Sequence, residues 1–247
     1  MRNNNSKRAI VIGATSGIGY EVARLLIQDG WTLGIAGRRE ENLKKLQAEA
    51  PERVHIKAID IKSNDADWKL QTLIEETGGI DLYFHSSGIG FQNKDLNADV
   101  KLNTLETNGT GFTRMVGAAF RYFKENGGGH IAVISSIAGT KGLGMAPAYS
   151  ATKRFQNTYI DALEQLSGIQ NLNIRFTDIR PGFVATDLLN DNKHYPMLMK
   201  IEDVAKSIVK ALYSKRRVAV IDWRYRILVF FWKMIPRFIW KRMKVKN

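Results

Sequence analysis

The stretch that most constrains this chain is Ala9-Ile10-Val11-Ile12 running straight into Gly13-Ala14-Thr15-Ser16-Gly17-Ile18-Gly19. Four apolar residues without polar alternation suit a strand buried on both faces, as in a parallel sheet. Ile18, Val22, Leu25 and Leu26 then recur at helical spacing until Gly30, so the order is strand, glycine turn, helix. The amides of such a turn, from Gly13 through Thr15, Ser16, Gly17, Ile18 and Gly19, converge on a helix N-terminus and form an anion site suited to a pyrophosphate. The spacing is G-x-x-x-G-x-G rather than G-x-G-x-x-G, which points to a particular subgroup of dinucleotide folds. The bland alternative is a set of glycines that merely permits a tight turn.

The rest of the chain repeats the alternation. Trp31–Ala36 reads as a second strand ending in Gly37-Arg38-Arg39. An NAD-type unit places an acid there for the ribose 2′-hydroxyl. A guanidinium suits a 2′-phosphate instead, so Arg38 argues for NADP(H) unless it is only a surface arginine. Helix Glu40–Ala50 and strand Val54–Ile59 follow, closed by Asp60-Ile61. Asp60 either accepts from an adenine amino group or caps the next turn. Ser63–Thr77 reads as a helix with Trp68, Leu73 and Ile74 as core residues. Ile80–Phe84 is a fourth strand, ending in His85-Ser86-Ser87-Gly88. A helix from Thr107 to Phe123, strand His130–Ile134, a helix begun by Pro147, strand Leu172–Ile179, helix Ile201–Ser214 and strand Val218–Ile221 complete the chain. Strands alternating with helices predict an α/β fold, a doubly wound parallel sheet of about seven strands in the order 3-2-1-4-5-6-7. The ligand belongs at the carboxyl ends of the strands, where the order reverses.

Composition removes several chemistries. The 247 residues contain no cysteine, hence no disulfide, thiolate or Cys–zinc site. Four scattered histidines show no metal-ligand spacing. The N-terminus is polar and no apolar run approaches the ~18 residues of a membrane span, so a cytoplasmic protein is expected.

Tyr149 and Lys153 stand four apart on the helix begun by Pro147, and therefore side by side. At ~4 Å and an effective dielectric of ~20, an ammonium favours the phenolate by roughly 4 kcal/mol, about 3 pKa units. On that reading Tyr149 is a general acid/base near neutral pH; the bland reading is a solvated pair on a helix face.

With the glycine turn, Asn108, Ser136 thirteen positions before Tyr149, Lys153, and Pro181-Gly182-x-Val184-x-Thr186 in hand, the chain resembles a short-chain dehydrogenase/reductase over roughly residues 7–222. The resemblance implies these roles. Tyr149 donates a proton to a carbonyl oxygen, Ser136 hydrogen-bonds that oxygen, and Lys153 holds the nicotinamide ribose and lowers the Tyr149 pKa. Asn108 positions a water in a proton relay, and Arg38 takes the 2′-phosphate. Thr186 binds the carboxamide, unless with Asp187 it is a helix cap. Further cofactor contacts fall on Asp60, Ile61, Ser87, Gly88, Pro181, Gly182 and Val184. The family pattern Asn-Asn-Ala-Gly after strand four is replaced by His85-Ser86-Ser87-Gly88. The implied activity is NADPH-dependent reduction of a ketone or aldehyde, and the implied assembly a homodimer or homotetramer. The alternative is a non-catalytic NADP(H)-binding protein.

Residues 1–222 read as one domain and residues 223–247 as a tail. The tail holds seven aromatics, eight Lys/Arg and no acid, or +8 of the net +13. Three readings apply: a helix pair over the substrate cleft or a subunit interface, an interfacial helix on an anionic membrane, or nucleic-acid binding. Nucleic acid is the least favoured. The aromatic tail tilts the substrate toward a hydrophobic or lipid-linked carbonyl compound, and the location toward the membrane periphery.

Overall fold

The computed structural model describes residues 7–186, 189 and 195–245. Seven strands form one parallel sheet: β1 Arg8–Ile12, β2 Thr32–Gly37, β3 Val54–Ala58, β4 Leu82–His85, β5 Gly129–Ile134, β6 Ile174–Arg180 and β7 Val218–Val220. Their order is β3-β2-β1-β4-β5-β6-β7, as the alternation predicts. The helices are α1 Gly17–Gln28, α2 Glu40–Glu49, α3 Ala66–Glu76, α4 Ala98–Leu105, α5 Phe112–Glu125, α6 Pro147–Ile169, α7 Ile201–Tyr213, α8 Trp223–Met234 and α9 Arg237–Trp240.

Each strand serves two cores because successive side chains point to opposite faces. Ala9 and Val11 join a cluster with Val22 and Leu26 of α1, Ile208 and Leu212 of α7, and Tyr225 of α8. Ile10 and Ile12 join the opposite cluster with Leu73 of α3, Phe112 and Val116 of α5, and Ile160 of α6. The continuous apolar run of β1 is therefore explained by burial on both sides.

Two expectations need correction. Trp68 is not in the core; it is 66% exposed, while Leu70, Leu73 and Ile74 carry the buried face of α3. The helix expected from Thr107 begins nine residues earlier, at Ala98, capped by the Asn97 side chain, which accepts from Val100 N at 3.2 Å. It then passes through a π-helical turn, Glu106–Gly111, into α5. Thr107-Asn108-Gly109-Thr110-Gly111 are poor helix formers, which hid the continuity. The wider turn carries Asn108 into the protein, where it is fully buried.

Candidate active site

Gly13 sits at φ +88°, where a Cβ would come within 2.6 Å of Ser87 N; a Cβ on Gly19 would meet Gly13 O at 2.2 Å. The turn thus packs directly against the segment after β4, bringing Ser87 and Gly88 beside the N-terminus of α1. No side chain caps that helix. Ser16, at the capping position, instead accepts a hydrogen bond from Arg39 Nη2 at 2.5 Å, with Thr15 Oγ1 at 3.3 Å from the same nitrogen. Asn42 Nδ2 donates to Thr15 O at 2.9 Å. The first amides of α1, including Ile18 and Gly19, are left without a side-chain acceptor, an arrangement that fits an anion.

Sequence reasoning missed Arg39 and Asn42; the only signal was a second arginine beside Arg38. Arg38 is exposed at the end of β2. Thr186 stands beside the turn, its Cγ2 3.6 Å from a Cβ placed on Gly17. Its hydroxyl donates to Val184 O at 3.4 Å, and Asp187, which would complete a helix cap, lies outside the described residues. Asp60 Oδ1 accepts from Lys62 N at 3.0 Å, so it does cap its turn. Ile61 is buried, and its carbonyl accepts from Arg114 Nη1 at 3.0 Å.

β5 delivers Ser135 and Ser136. Ser136 Oγ accepts from Ala138 N at 3.1 Å and lies 3.4 Å from Pro181 O, while Ile137 N donates to Pro181 O at 3.1 Å. The end of β6 is thereby tied to the end of β5. Val184 is buried, and Gly182 lies under the Tyr225 ring, 2.2 Å from a built Cβ to Cζ.

α6 presents Tyr149 and Lys153 on one face, with the Lys153 ammonium 5.7 Å from the Tyr149 ring centroid. Gly90 packs against that ring; a Cβ there would be 2.6 Å from Cε2. Lys153 Nζ donates to Ile134 O at 3.1 Å and Gln156 Oε1 at 3.0 Å.

The electrostatics differ from the simple pair. Burial raises the Tyr149 phenol above its ordinary value, opposed by a hydrogen bond from Ser136. Burial also lowers Lys153 to about 8, opposed by Asp178. The expected depression of Tyr149 by Lys153 is not what this geometry produces. The ammonium faces the ring and bonds Ile134 and Gln156, so removal of the phenol from water dominates.

Asn108 holds the loop after β4. Its Oδ1 accepts from Ile89 N at 2.9 Å, and its Nδ2 donates to Ile89 O at 2.7 Å and Thr152 Oγ1 at 3.2 Å. Its main-chain carbonyl accepts from Gln156 Nε2 at 3.0 Å. One amide therefore bridges Asn108 and Lys153, a residue that sequence reasoning did not single out. His85 is fully buried, its Nδ1 2.9 Å from Tyr83 Oη and its ring edge-on to Phe112 at 5.2 Å. Burial lowers it to about 3, so it is neutral. Its Nε2 has no partner among the described residues.

Serine, tyrosine, lysine and asparagine thus meet where β4, β5 and β6 end, next to an uncapped helix N-terminus. Residues 7–196 match the family described as short chain dehydrogenase. An oxidoreductase of Myxococcus xanthus is 30% identical over 243 residues, covering 96% of this chain and 95% of that protein. Dehydrogenase/reductase SDR family member 7B of Xenopus tropicalis is 27% identical, covering 84% of this chain and 74% of its own length. A crystal structure of a variant actinorhodin polyketide ketoreductase with NADPH has a TM-score of 0.76 at 23% identity, covering 90% of this chain and 97% of that one. The alcohol dehydrogenase of the archaeon Thermococcus sibiricus, complexed with 5-hydroxy-NADP, also reaches 0.76, at 24% identity and coverage of 88% and 95%. On fold, family match and relatives together, this chain belongs to the short-chain dehydrogenase family and is an oxidoreductase of its dehydrogenase/reductase type.

Proposed function

We propose that this protein is an NADPH-dependent reductase that converts a hydrophobic or lipid-linked ketone or aldehyde to an alcohol. The observation that carries the reading is the meeting of Ser136, Tyr149 and Lys153 at the strand ends beside the uncapped N-terminus of α1. When bound, the nicotinamide dinucleotide supplies a hydride to the carbonyl carbon. The Gly13–Gly19 amides would hold its pyrophosphate, Arg38 its 2′-phosphate, Thr186 its carboxamide, and Lys153 its ribose. Asp60, Ile61, Ser87, Gly88, Pro181, Gly182 and Val184 form the remaining walls. NADPH and 5-hydroxy-NADP in the two solved relatives support the choice of NADP(H).

Tyr149 carries its proton throughout the neutral range because burial keeps its phenol protonated. It gives that proton to the substrate oxygen as the C=O π pair becomes an O–H bond. Ser136 donates to the same oxygen while negative charge develops, a donor held in place at the end of β5. The phenolate left behind faces the Lys153 cation across its ring. Asn108 acts as a brace for the Ile89 loop, and its carbonyl connects to Lys153 through Gln156.

Residues 1–222 are the catalytic Rossmann domain and 223–247 its C-terminal covering element. A homodimer or homotetramer forms through α4, α5 and α6, where Leu102, Leu105 and Phe155 are exposed. The protein works in the cytoplasm at the membrane periphery. A second reading, a non-catalytic NADP(H)-binding protein, is favoured by His85 and by the Gln156 bridge at the relay position.

The test is calorimetric titration with NADPH and NADH on wild type and Arg38→Ala, followed by turnover of Tyr149→Phe on a panel of apolar carbonyl compounds. We expect NADPH preference, lost in Arg38→Ala. Tyr149→Phe should lose turnover by roughly 100- to 10,000-fold with NADPH binding intact. Full turnover in Tyr149→Phe would remove it as the acid; tight NADPH binding with no turnover in wild type would favour the second reading.

A further inference from the structure

α8 is apolar on two opposite faces. Tyr225 and Val229, one helical turn apart, are buried in the core. On the outward face Trp223, Ile227, Phe230, Phe231 and Met234 recur at i, i+4, i+7, i+8 and i+11, and they are 49–67% exposed. Phe238 on α9 is likewise 66% exposed. A contiguous apolar face of this kind marks an interaction site.

The charge around it is of one sign. Residues 223–247 contain eight Lys/Arg and no acid. Arg224 is paired with Asp222 at 2.8 Å, but Lys233, Arg237 and Lys241 are exposed beside the apolar face. A second copy docked about a twofold axis would set this basic surface against itself, which is unfavourable. No helix among the described residues is long and apolar enough to cross a membrane. α8 ends before Pro236, which leaves it 12 residues long. An apolar stripe flanked by cations, too short to span, is complementary to the headgroup region of an anionic bilayer.

The face is also fixed relative to the catalytic cleft. Lys141 Nζ donates to Ile235 O at 2.7 Å, and Trp240 Nε1 donates to Gly142 O at 2.8 Å. Trp232 and Trp240 pack edge to face at 5.5 Å, closing α9 onto α8. Lys141 and Gly142 belong to the loop between Ser136 and Tyr149.

We infer that the outward face of α8 and α9 docks the protein on an anionic lipid surface, holding the 141–146 loop and the substrate mouth against the bilayer. The docking itself does not depend on the reductase reading. The full-length protein would be sedimented with vesicles of phosphatidylglycerol and phosphatidylcholine, and with phosphatidylcholine alone. Two variants spare the buried face: Phe230→Ser with Phe231→Ser, and Lys233→Glu with Arg237→Glu and Lys241→Glu. Circular dichroism melts serve as the fold control, so that docking is judged whether or not NADPH binds. We expect binding to the anionic vesicles, weakened roughly 100-fold or more by the charge variant and lost in the aromatic variant. The idea is overturned by no sedimentation with anionic vesicles, or by equal binding of all three proteins. It is also overturned if the aromatic variant breaks a dimer without changing vesicle binding, which assigns the face to a second copy. Salt-sensitive binding of polyuridine without vesicle binding would assign it to nucleic acid.

Discussion

At the scale of the residue, the pair that stood out in the sequence depends on a third side chain that did not. Lys153 is buried, which lowers it to about 8, so it retains most of its charge at neutral pH. The Asp178 charge opposes the effect of burial, and the ammonium donates to Ile134 O and Gln156 Oε1. Gln156 is itself fully buried and anchored to Asn108 O, so its oxygen is aimed at the ammonium with no freedom to turn. Losing a hydrogen bond to a charged group favours the neutral form. Gln156→Leu should therefore move the alkaline fall of reductive kcat/KM from about 8 to roughly one unit lower, with the Asn108 carbonyl losing its bond from Gln156. Gln156→Glu should restore or exceed the wild-type position. A profile unchanged in both variants would show that Gln156 only fills space. The sequence carried Tyr149 and Lys153 because their relation is local, four residues on one helix. Gln156 was illegible because its partner Asn108 lies 48 positions away, on a π-helical turn that no periodicity announces.

At the scale of the element, α8 is a buried wedge as well as an outward face. The Tyr225 hydroxyl accepts from Phe183 N at 3.1 Å and lies 3.0 Å from Pro196 O and 3.2 Å from Met197 O. Its ring covers Gly182, where any side chain would collide. One phenol thus sets the path of the chain leaving β6, including Val184 and Thr186. Tyr225→Phe should cost about 0.5–1.5 kcal/mol in urea unfolding, because a part-buried amide loses its acceptor and one of the two carbonyls loses its donor. NADPH binding should weaken in the same variant while the sheet stays intact by circular dichroism; unchanged stability would mean that Tyr225 acts only through its ring. A chain cut at Asp222 would expose this seam and confuse docking with stability. The strands and their order were legible from apolar runs and glycine turns, which are backbone requirements. The wedge was not, because Tyr225 and Val229 sit in a stretch whose other apolar residues face outward, and composition cannot tell the two faces apart.

At the scale of the whole molecule, buried neutral imidazoles make the fold sensitive to mild acid. His85 lies within an aromatic box of Tyr83 and Phe112, lowered by burial to about 3, with the Lys153 charge adding to the effect. His130 bridges β5 to β6 through Thr177 Oγ1 at 2.8 Å and is lowered by burial to about 4, with Lys215 contributing. Above about 6.5 the folded and unfolded chains are both neutral at these sites, and neither site affects stability. As pH falls below that value the unfolded chain takes up both protons and the folded chain does not, so stability is lost. Each proton is worth at most about 1.4 kcal/mol per pH unit, or roughly 3 for the pair. Lys153 is protonated in both states in this window and adds only a constant; its own effect, a gain in stability, runs upward from about 8. Urea unfolding between pH 6.5 and 5, above the carboxylate range, isolates the histidines. His85→Asn combined with His130→Gln should flatten the dependence there by about half or more, whatever the variants cost at pH 7. Slopes equal to wild type would mean that these imidazoles titrate in the folded protein, and that the box around His85 admits water.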